Sequence, residues 1–370
     1  ERSLLPSPGI LFPQSFMQNN VADYIRSLLA SERFARQVTH HRVLPAREAR
    51  YGETRRPWPR AIAGVLRERG IASLYSHQAL TADTVRAGRD VGVVATPTAS
   101  GKTLCYSLPI LEKCLQDPDS RALMLFPLKA LAQDQLAAFG ELTGHWPEAA
   151  RPSIAIYDGD TTDHFRRKIR KNPPNVLITN PEMLHLAILP FHEQWTTFLA
   201  SLSLVVVDEA HTYRGVLGSH ISQLFRRLNR ICARYAARPN FVFCTATVGN
   251  PEELAGNLLG RELVQEKGLP SENAFPFSPL FSPSSSSEPV ALGKETSLNA
   301  PQESAGIPVI RESGAPTGKR HMVFIDPEDS PSTTAIALLK AALARGLRTI
   351  VYCRSRRMTG LIALWAGDKA

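Results

Sequence analysis

The sequence predicts an α/β fold: a parallel sheet with helices on both faces. Three observations carry this. Six short apolar runs, VGVVA (91–95), ALMLF (122–126), SIAIY (153–157), NVLIT (175–179), LVVVD (204–208) and NFVFC (240–244), are rich in β-branched or aromatic residues and lack strict alternation. Strands buried on both faces of a parallel sheet read this way. Longer amphipathic stretches lie between them, among them TLCYSLPILEKCL, LKALAQDQLAAF and SHISQLFRRLNRICARY, so strand and helix alternate along the chain. Composition is globular, 43% apolar and 21% charged, which excludes wholesale disorder.

By composition the 370 residues divide into four parts. Residues 1–70 form a basic, partly helical extension, and 71–264 carry the repeated α/β pattern. Residues 265–306 include PFSPLFSPSSSSEP and read as a Ser/Pro-rich linker or insertion with too little apolar surface to fold. In 307–370 the α/β pattern restarts with HMVFI (321–325), a helix near 332–344, RTIVYC (348–353) and a helix from about 355. One such unit is too little for a complete sheet domain, and the chain begins at Glu1 rather than Met. The expectation is a fragment whose second domain is cut short.

Five scattered cysteines, never spaced CxxC, exclude a disulfide framework and a zinc ribbon within these residues and fit a reducing cytoplasm. No apolar run approaches a membrane span, and no secretory signal pattern opens the chain. The net charge of +9 is local: residues 31–70 hold ten Arg against four Glu, and HFRRKIRK (164–171) is a second basic run. Such runs serve equally as solvated faces or as polyanion contacts.

Two loops carry chemistry. After the run at 91–95 comes TPTASGKTL (96–104) and then a helical stretch, a P-loop in its required context. Backbone N–H groups of Ala99, Ser100, Gly101 and Lys102 suit phosphates at a helix N-terminus. Lys102 is placed to reach the β- and γ-phosphates, and the Thr103 hydroxyl to ligate Mg2+. Thr96 stands where the first P-loop Gly is usual. The second loop is DEAH (208–211) after LVVVD: Asp208 supplies a second magnesium contact, and Glu209 a group to polarise the attacking water.

With both loops in place the chain resembles a superfamily 2 DEAD/DEAH-type helicase. SHQ (76–78) resembles the Q motif, FPLKALAQDQ (126–135) motif Ia, TNPEML (179–184) motif Ib, CTAT (244–247) motif III and IVYCRSRR (350–357) motif IV. RVLPAREARY (42–51), GIASLYSHQ (70–78), DEAHTYRGVLGSH (208–220), TATVGNPEELA (245–255) and GKRHMVF (318–324) are similar to the YprA/MrfA-type bacterial DNA helicases, a group that includes RecQ-four-like eukaryotic enzymes. In that group TPTASGKT with Thr96 and Ala99 is normal.

The resemblance implies a RecA-like P-loop domain followed by an incomplete second RecA-like domain. It also implies ATP and Mg2+ as cofactors and 3′-to-5′ translocation on DNA connected to repair. Thr98, Ala99, Ser100, Gly101, Lys102 and Thr103 would hold the nucleotide, and Gln78 would read the adenine edge. His211, Thr245 and Thr247 would couple nucleotide state to strand contacts. Pro127, Lys129, Thr179, Pro181 and Arg214 would line a single-stranded DNA path with little sequence specificity. Motifs V and VI, with their arginine finger, do not follow IVYCRSRRMTGLIALWAGDKA, so Mg-ATP binding is expected with turnover near background. Three other readings stand beside this one: a DEAD-box RNA helicase, a binding module without turnover, and a P-loop transporter or kinase. DEAH in place of DEAD and TAT in place of SAT weigh against the first. The lack of an LSGGQ-like signature weighs against the last.

Overall fold

The computed structural model describes residues 14–94, 100–245, 249–260 and 307–367. In chain order its principal elements are α1 (Gln14–Ala30), β1 (Val38–Leu44), β2 (Tyr51–Gly52), α2 (Arg60–Glu68), β3 (Leu74–Tyr75), α3 (Ser76–Arg86), β4 (Val91–Val94), α4 (Lys102–Gln116), β5 (Arg121–Leu125) and α5 (Lys129–Thr143). Then come β6 (Ile154–Ile156), α6 (Asp163–Lys171), β7 (Val176–Thr179), α7 (Pro181–Met183), α8 (Thr196–Ala200), β8 (Leu202–Val207), α9 (Gly215–Arg234), β9 (Asn240–Thr245) and α10 (Pro251–Leu259). Beyond residue 306 lie β10 (Val309–Ile310), β11 (Arg320–Ile325), α11 (Pro331–Leu343) and α12 (Arg356–Gly367).

The chain forms two compact units, one from Ala49 to Pro316, the other from the residues up to Glu48 together with those from Thr317 onward. The first holds a seven-stranded sheet in the order β10-β4-β9-β8-β5-β7-β6, parallel throughout. All six apolar runs of 91–244 are strands of it, within two residues of their expected bounds. Alternate residues of each strand point to opposite faces. Leu123, Leu125, Leu177, Val205, Val207, Phe241 and Phe243 pack on one side with Trp195, Phe198 and Phe225. Met124, Val176, Ile178, Leu204, Val206, Val242 and Cys244 pack on the other with Tyr106, Ile110, Phe139 and Ile62. Each fully buried side chain of this size contributes about 1.5–3 kcal/mol, and both faces are filled. Continuous apolar runs, rather than alternating ones, are the consequence.

The units cut across the division by composition. Residues 49–70 belong with the sheet through β2–β3 and α2, and β10 joins the sheet edge beside β4. Expected boundaries at 70 and 307 are therefore not those of the packed units. The reason is long-range pairing: Val309 lies opposite Gly92 and Ile310 opposite Val93. The expected linker at 265–306 lies outside the described residues.

In the other unit β1 pairs antiparallel with β11 from Leu44↔Arg320 to Val38↔Ile325, and Tyr24 of α1 donates to the Leu338 carbonyl of α11 at 3.1 Å. HMVFI and both expected helices appear. RTIVYC (348–353) does not form a strand: β11 has its partner in β1, and no described strand pairs with 348–353, whose Ile350 and Tyr352 are exposed. An extended segment without a ladder partner gains no strand hydrogen bonds. The basic N-terminal region is partly neutralised: Arg33, Arg36, Arg50 and Arg69 pair with Asp329, Glu328, Glu312 and Glu141. Among the described residues no helix is long and apolar enough to cross a membrane.

Candidate nucleotide and nucleic-acid site

Sheet order sorts the motifs. The P-loop follows β4, Thr245 ends β9 and Asp208 follows β8, and these three strands are neighbours. Pro127 and Lys129 follow β5, Thr179 and Pro181 lie at the end of β7, and the turn Asp158–Thr161 follows β6, again on neighbouring strands. At about 4.8 Å per strand, the two groups sit side by side along one edge of carboxyl ends. Ligands bind at such edges.

On the nucleotide side Lys102 opens α4, with Gly101 before it in the left-handed region at φ +74°. A Cβ at Gly101 would lie 2.6 Å from Gln78 Nε2, so glycine is required by conformation and by space. Ser100 is buried and its Oγ has no partner among the described residues, as expected of a hydroxyl reserved for a phosphate. Lys102 and Thr103 are half-buried in the first turn. Thr98 and Ala99 lie outside the described residues, as does Thr247.

Gln78 is buried and braces the P-loop: its Oε1 accepts from Tyr75 N–H at 2.9 Å and its Nε2 donates to Gly101 O at 2.9 Å. One Nε2 hydrogen remains for a ligand. His77, which the sequence reading passed over, does similar work. Its Nε2 lies 3.1 Å from Ser100 O, and its Nδ1 accepts from Gly314 N–H at 3.2 Å. An N–H donor at Nδ1 and a carbonyl acceptor at Nε2 fix the neutral tautomer with the proton on Nε2. Burial holds the ring below the ordinary imidazole range, opposed by the Ser100 carbonyl. Gly314 is itself clamped, since a Cβ there would lie 2.2 Å from Arg50 O.

Asp208 is anchored by its N–H to Leu125 O at 3.0 Å, and its Oδ1 accepts from Glu209 N–H at 2.9 Å. Burial pushes its carboxyl up to about 6; the Glu209 N–H opposes this, the Glu209 charge adds to it, and Lys102 opposes it. A half-buried carboxylate flanked by a lysine and a second carboxylate suits a hydrated cation. Glu209 stands at φ +49°, one of two described non-glycine residues with positive φ. Such backbone costs about 1–3 kcal/mol and gathers at working sites. Thr212 holds it there, donating to Glu209 O through N–H at 2.9 Å and Oγ1 at 2.8 Å. His211 Nδ1 lies 3.2 Å from Glu209 Oε2, so the two loop residues are joined directly. Thr245 Oγ1 is buried with no hydrogen-bond partner among the described residues; burial together with Asp208 raises the Tyr213 phenol, opposed by the Thr212 hydroxyl. Tyr106 of α4 donates to Gln135 Oε1 of α5 at 2.9 Å, tying the P-loop helix to motif Ia.

The expected strand contacts fare unevenly. Lys129 is exposed at the start of α5 and pairs with Asp160 at 2.6 Å. Arg214 is exposed at the entry to α9 and lines a polar cleft of about 570 Å³ with Gln223, Arg226, Asn250 and Asn257. Pro127 is half-buried. Two of the expected positions are buried. Thr179 is 2% exposed and its hydroxyl donates to Tyr157 O, while Pro181 is buried as the first residue of α7. Both side chains pack within the loop after β7. Asn180 Oδ1 caps the same loop on Met183 N–H at 2.8 Å.

Residues 75–254 match the profile of the DEAD/DEAH box helicase family. They form a DEAD/DEAH box helicase domain. The seven-stranded parallel sheet is accordingly RecA-like. Over 332 residues the chain is 37% identical to the uncharacterized ATP-dependent helicase YprA of Bacillus subtilis, taking in 86% of this chain and 37% of that protein. Over 354 residues it is 32% identical to the ATP-dependent helicase HRQ1 of Saccharomyces cerevisiae, taking in 92% of this chain and 28% of that one. In structure it superposes on the DUF1998 helicase MrfA bound to DNA and AMPPNP with a TM-score of 0.74 at 34% identity, over 92% of this chain and 42% of that one. The chain thus spans less than half the length of these relatives.

Proposed function

We propose that this chain is the ATP-binding part of an ATP-dependent DNA helicase that translocates 3′ to 5′ on single-stranded DNA and serves DNA repair. The observation that supports this reading best is the adjacency of β4, β9 and β8, which gathers Gly101–Lys102, Thr245 and the Asp208–Glu209 pair at neighbouring strand ends. The buried, unpartnered Ser100 Oγ and the raised Asp208 carboxyl fit a magnesium-bound triphosphate. Lys102 would balance the terminal phosphates, Thr103 and Asp208 would hold the cation, and Glu209 would orient and polarise water. Mg2+ when bound neutralises charge on the phosphate oxygens. His211, joined to Glu209, and Thr245 beside it in the sheet would pass the occupancy of the site toward the strand contacts. Similarity to YprA, HRQ1 and DNA-bound MrfA favours DNA over RNA.

The test is equilibrium binding of a fluorescent ATP analogue with and without Mg2+, compared with Lys102→Ala, alongside matched DNA and RNA oligonucleotides. Magnesium-dependent nucleotide binding lost in the variant, with tighter binding to DNA than to RNA, is the expected result. Nucleotide affinity indifferent to Lys102→Ala would overturn the site, and preference for RNA would overturn the choice of strand.

A further inference from the structure

Helix α6 makes none of the contacts expected above, yet it is the most basic element of the helicase domain: Arg166, Arg167, Lys168, Arg170 and Lys171 stand against the single Asp163. Its inner side is fixed. Ile169 is buried, and Arg166 donates to Thr161 O at 2.8 Å and Asp158 O at 3.0 Å while lying over the Tyr157 ring. Its outer side is free: Arg167, Lys168 and Lys171 are exposed, none of them forms a salt bridge among the described residues, and their spacing puts them on one face. At the start of the same helix Phe165 is 55% exposed, its ring edge-on to His164 at 5.6 Å. An exposed phenylalanine among cations is not a core residue.

Phe165 also lines a cleft of about 600 Å³ together with Lys129, Gln133, Asp160, Thr162 and Ile169. The cleft thus joins the motif Ia lysine to the first turn of α6. Its acids are Asp158, whose Oδ1 is taken by Asp160 N–H, Thr161 N–H and Thr161 Oγ1, and Asp160, which holds Lys129. Asp163, the remaining carboxylate nearby, is exposed at the helix start.

Resting on the helicase reading above, we infer that single-stranded DNA continues past Lys129 across this cleft, stacks a base on Phe165 and lays its following phosphates along Arg167, Lys168 and Lys171. Aromatic stacking beside a cationic groove is how proteins hold single strands without reading their sequence. A duplex buries its base faces and cannot use Phe165, so the surface suits a single strand. Asp160 occupies Lys129 until a phosphate replaces it.

The test is fluorescence anisotropy of a labelled oligothymidylate with the full 370-residue chain, across a salt series. Phe165→Ala is expected to weaken binding about 5- to 100-fold, the range for one stacked base, and Phe165→Trp to retain it. Reversing the three cations (Arg167→Glu, Lys168→Glu, Lys171→Glu) is expected to weaken binding and to lower the slope of log affinity against log salt by about 2, for three single-strand phosphates. Asp160→Asn is expected to tighten binding. All these positions are exposed, so thermal unfolding midpoints should stay at the parent value. If the Phe165 and triple variants bind within about twofold of the parent while Lys129→Ala weakens binding, the strand does not follow α6 and the inference falls. If the parent binds no oligothymidylate, the DNA reading falls with it; ATP binding, measured separately, is untouched by either result.

Discussion

Replacing His77 with alanine removes one ring that holds two backbone groups. The imidazole is 1% exposed, donates to the P-loop at Ser100 O and accepts from Gly314 N–H. Alanine leaves a buried carbonyl and a buried N–H unpaired, at about 1–3 kcal/mol each, so a loss of roughly 2–6 kcal/mol in the stability of the sheet unit is expected. Urea unfolding followed by tryptophan fluorescence measures it. Trp58, Trp146 and Trp195 lie in the sheet unit and Trp365 in the other, so a Trp365→Phe background confines the signal. The pH dependence provides a second reading with a definite sign. Burial holds the native imidazole below its ordinary value, so between that lowered value and about 6.5 the unfolded chain binds the extra proton. Stability contributed by the neutral ring is then complete above about pH 6.5 and is lost as pH falls below it. The gap between parent and variant should therefore be wider at pH 7.5 than at pH 5.5. A loss under about 0.5 kcal/mol, or a gap that widens on acidification, would refute the bridging role. Nucleotide affinity should weaken about fivefold, as one P-loop hydrogen bond worth about 1 kcal/mol is given up.

Arg86 makes a bidentate pair with Glu112 at 2.7 and 2.8 Å, lies 4.1 Å over the Trp58 ring, and both ionic side chains are under 8% exposed. Arg86→Ala should cost about 3–5 kcal/mol by stranding the Glu112 charge, and Arg86→Met with Glu112→Leu should recover most of it in the same urea assay. Thr179→Val removes a buried donor to Tyr157 O without changing shape. It should lower stability by about 1 kcal/mol while leaving the salt slope of oligothymidylate binding unchanged, because that hydroxyl is not at the surface.

Six strands, and the two loops proposed to carry the chemistry, are legible because each is written locally. Apolar runs need only their own few residues to show that both faces are covered, and Gly101-Lys102-Thr103 after a strand needs only its neighbours. What escaped is long-range. Val309–Ile310 is two residues, too short for any periodicity, and becomes a strand by pairing with β4, where Gly92 faces it closely: a Cβ at Gly92 would lie 3.1 Å from Val309 Cγ2. The basic N-terminal segment hides β1, whose His40 and His41 carry no apolar alternation and which exists through its pairing with β11. RTIVYC failed for the converse reason: strand propensity is there, but no described strand lies beside it.

The same distinction separates the two halves of the candidate site. Nucleotide chemistry demands fixed residue types at fixed positions, so Lys102, Asp208 and Glu209 can be proposed from sequence. Contact with a strand of arbitrary sequence demands only charge and an aromatic face at the surface, and which Thr, Pro or Lys reaches that surface is decided by packing. Thr179 carries the motif yet turns its hydroxyl inward to Tyr157, whereas Phe165 carries no motif and stands in the open beside Lys129. On the path proposed here, exposure and charge at the ends of β5, β7 and β6 mark the strand contacts more directly than the motif letters that follow them.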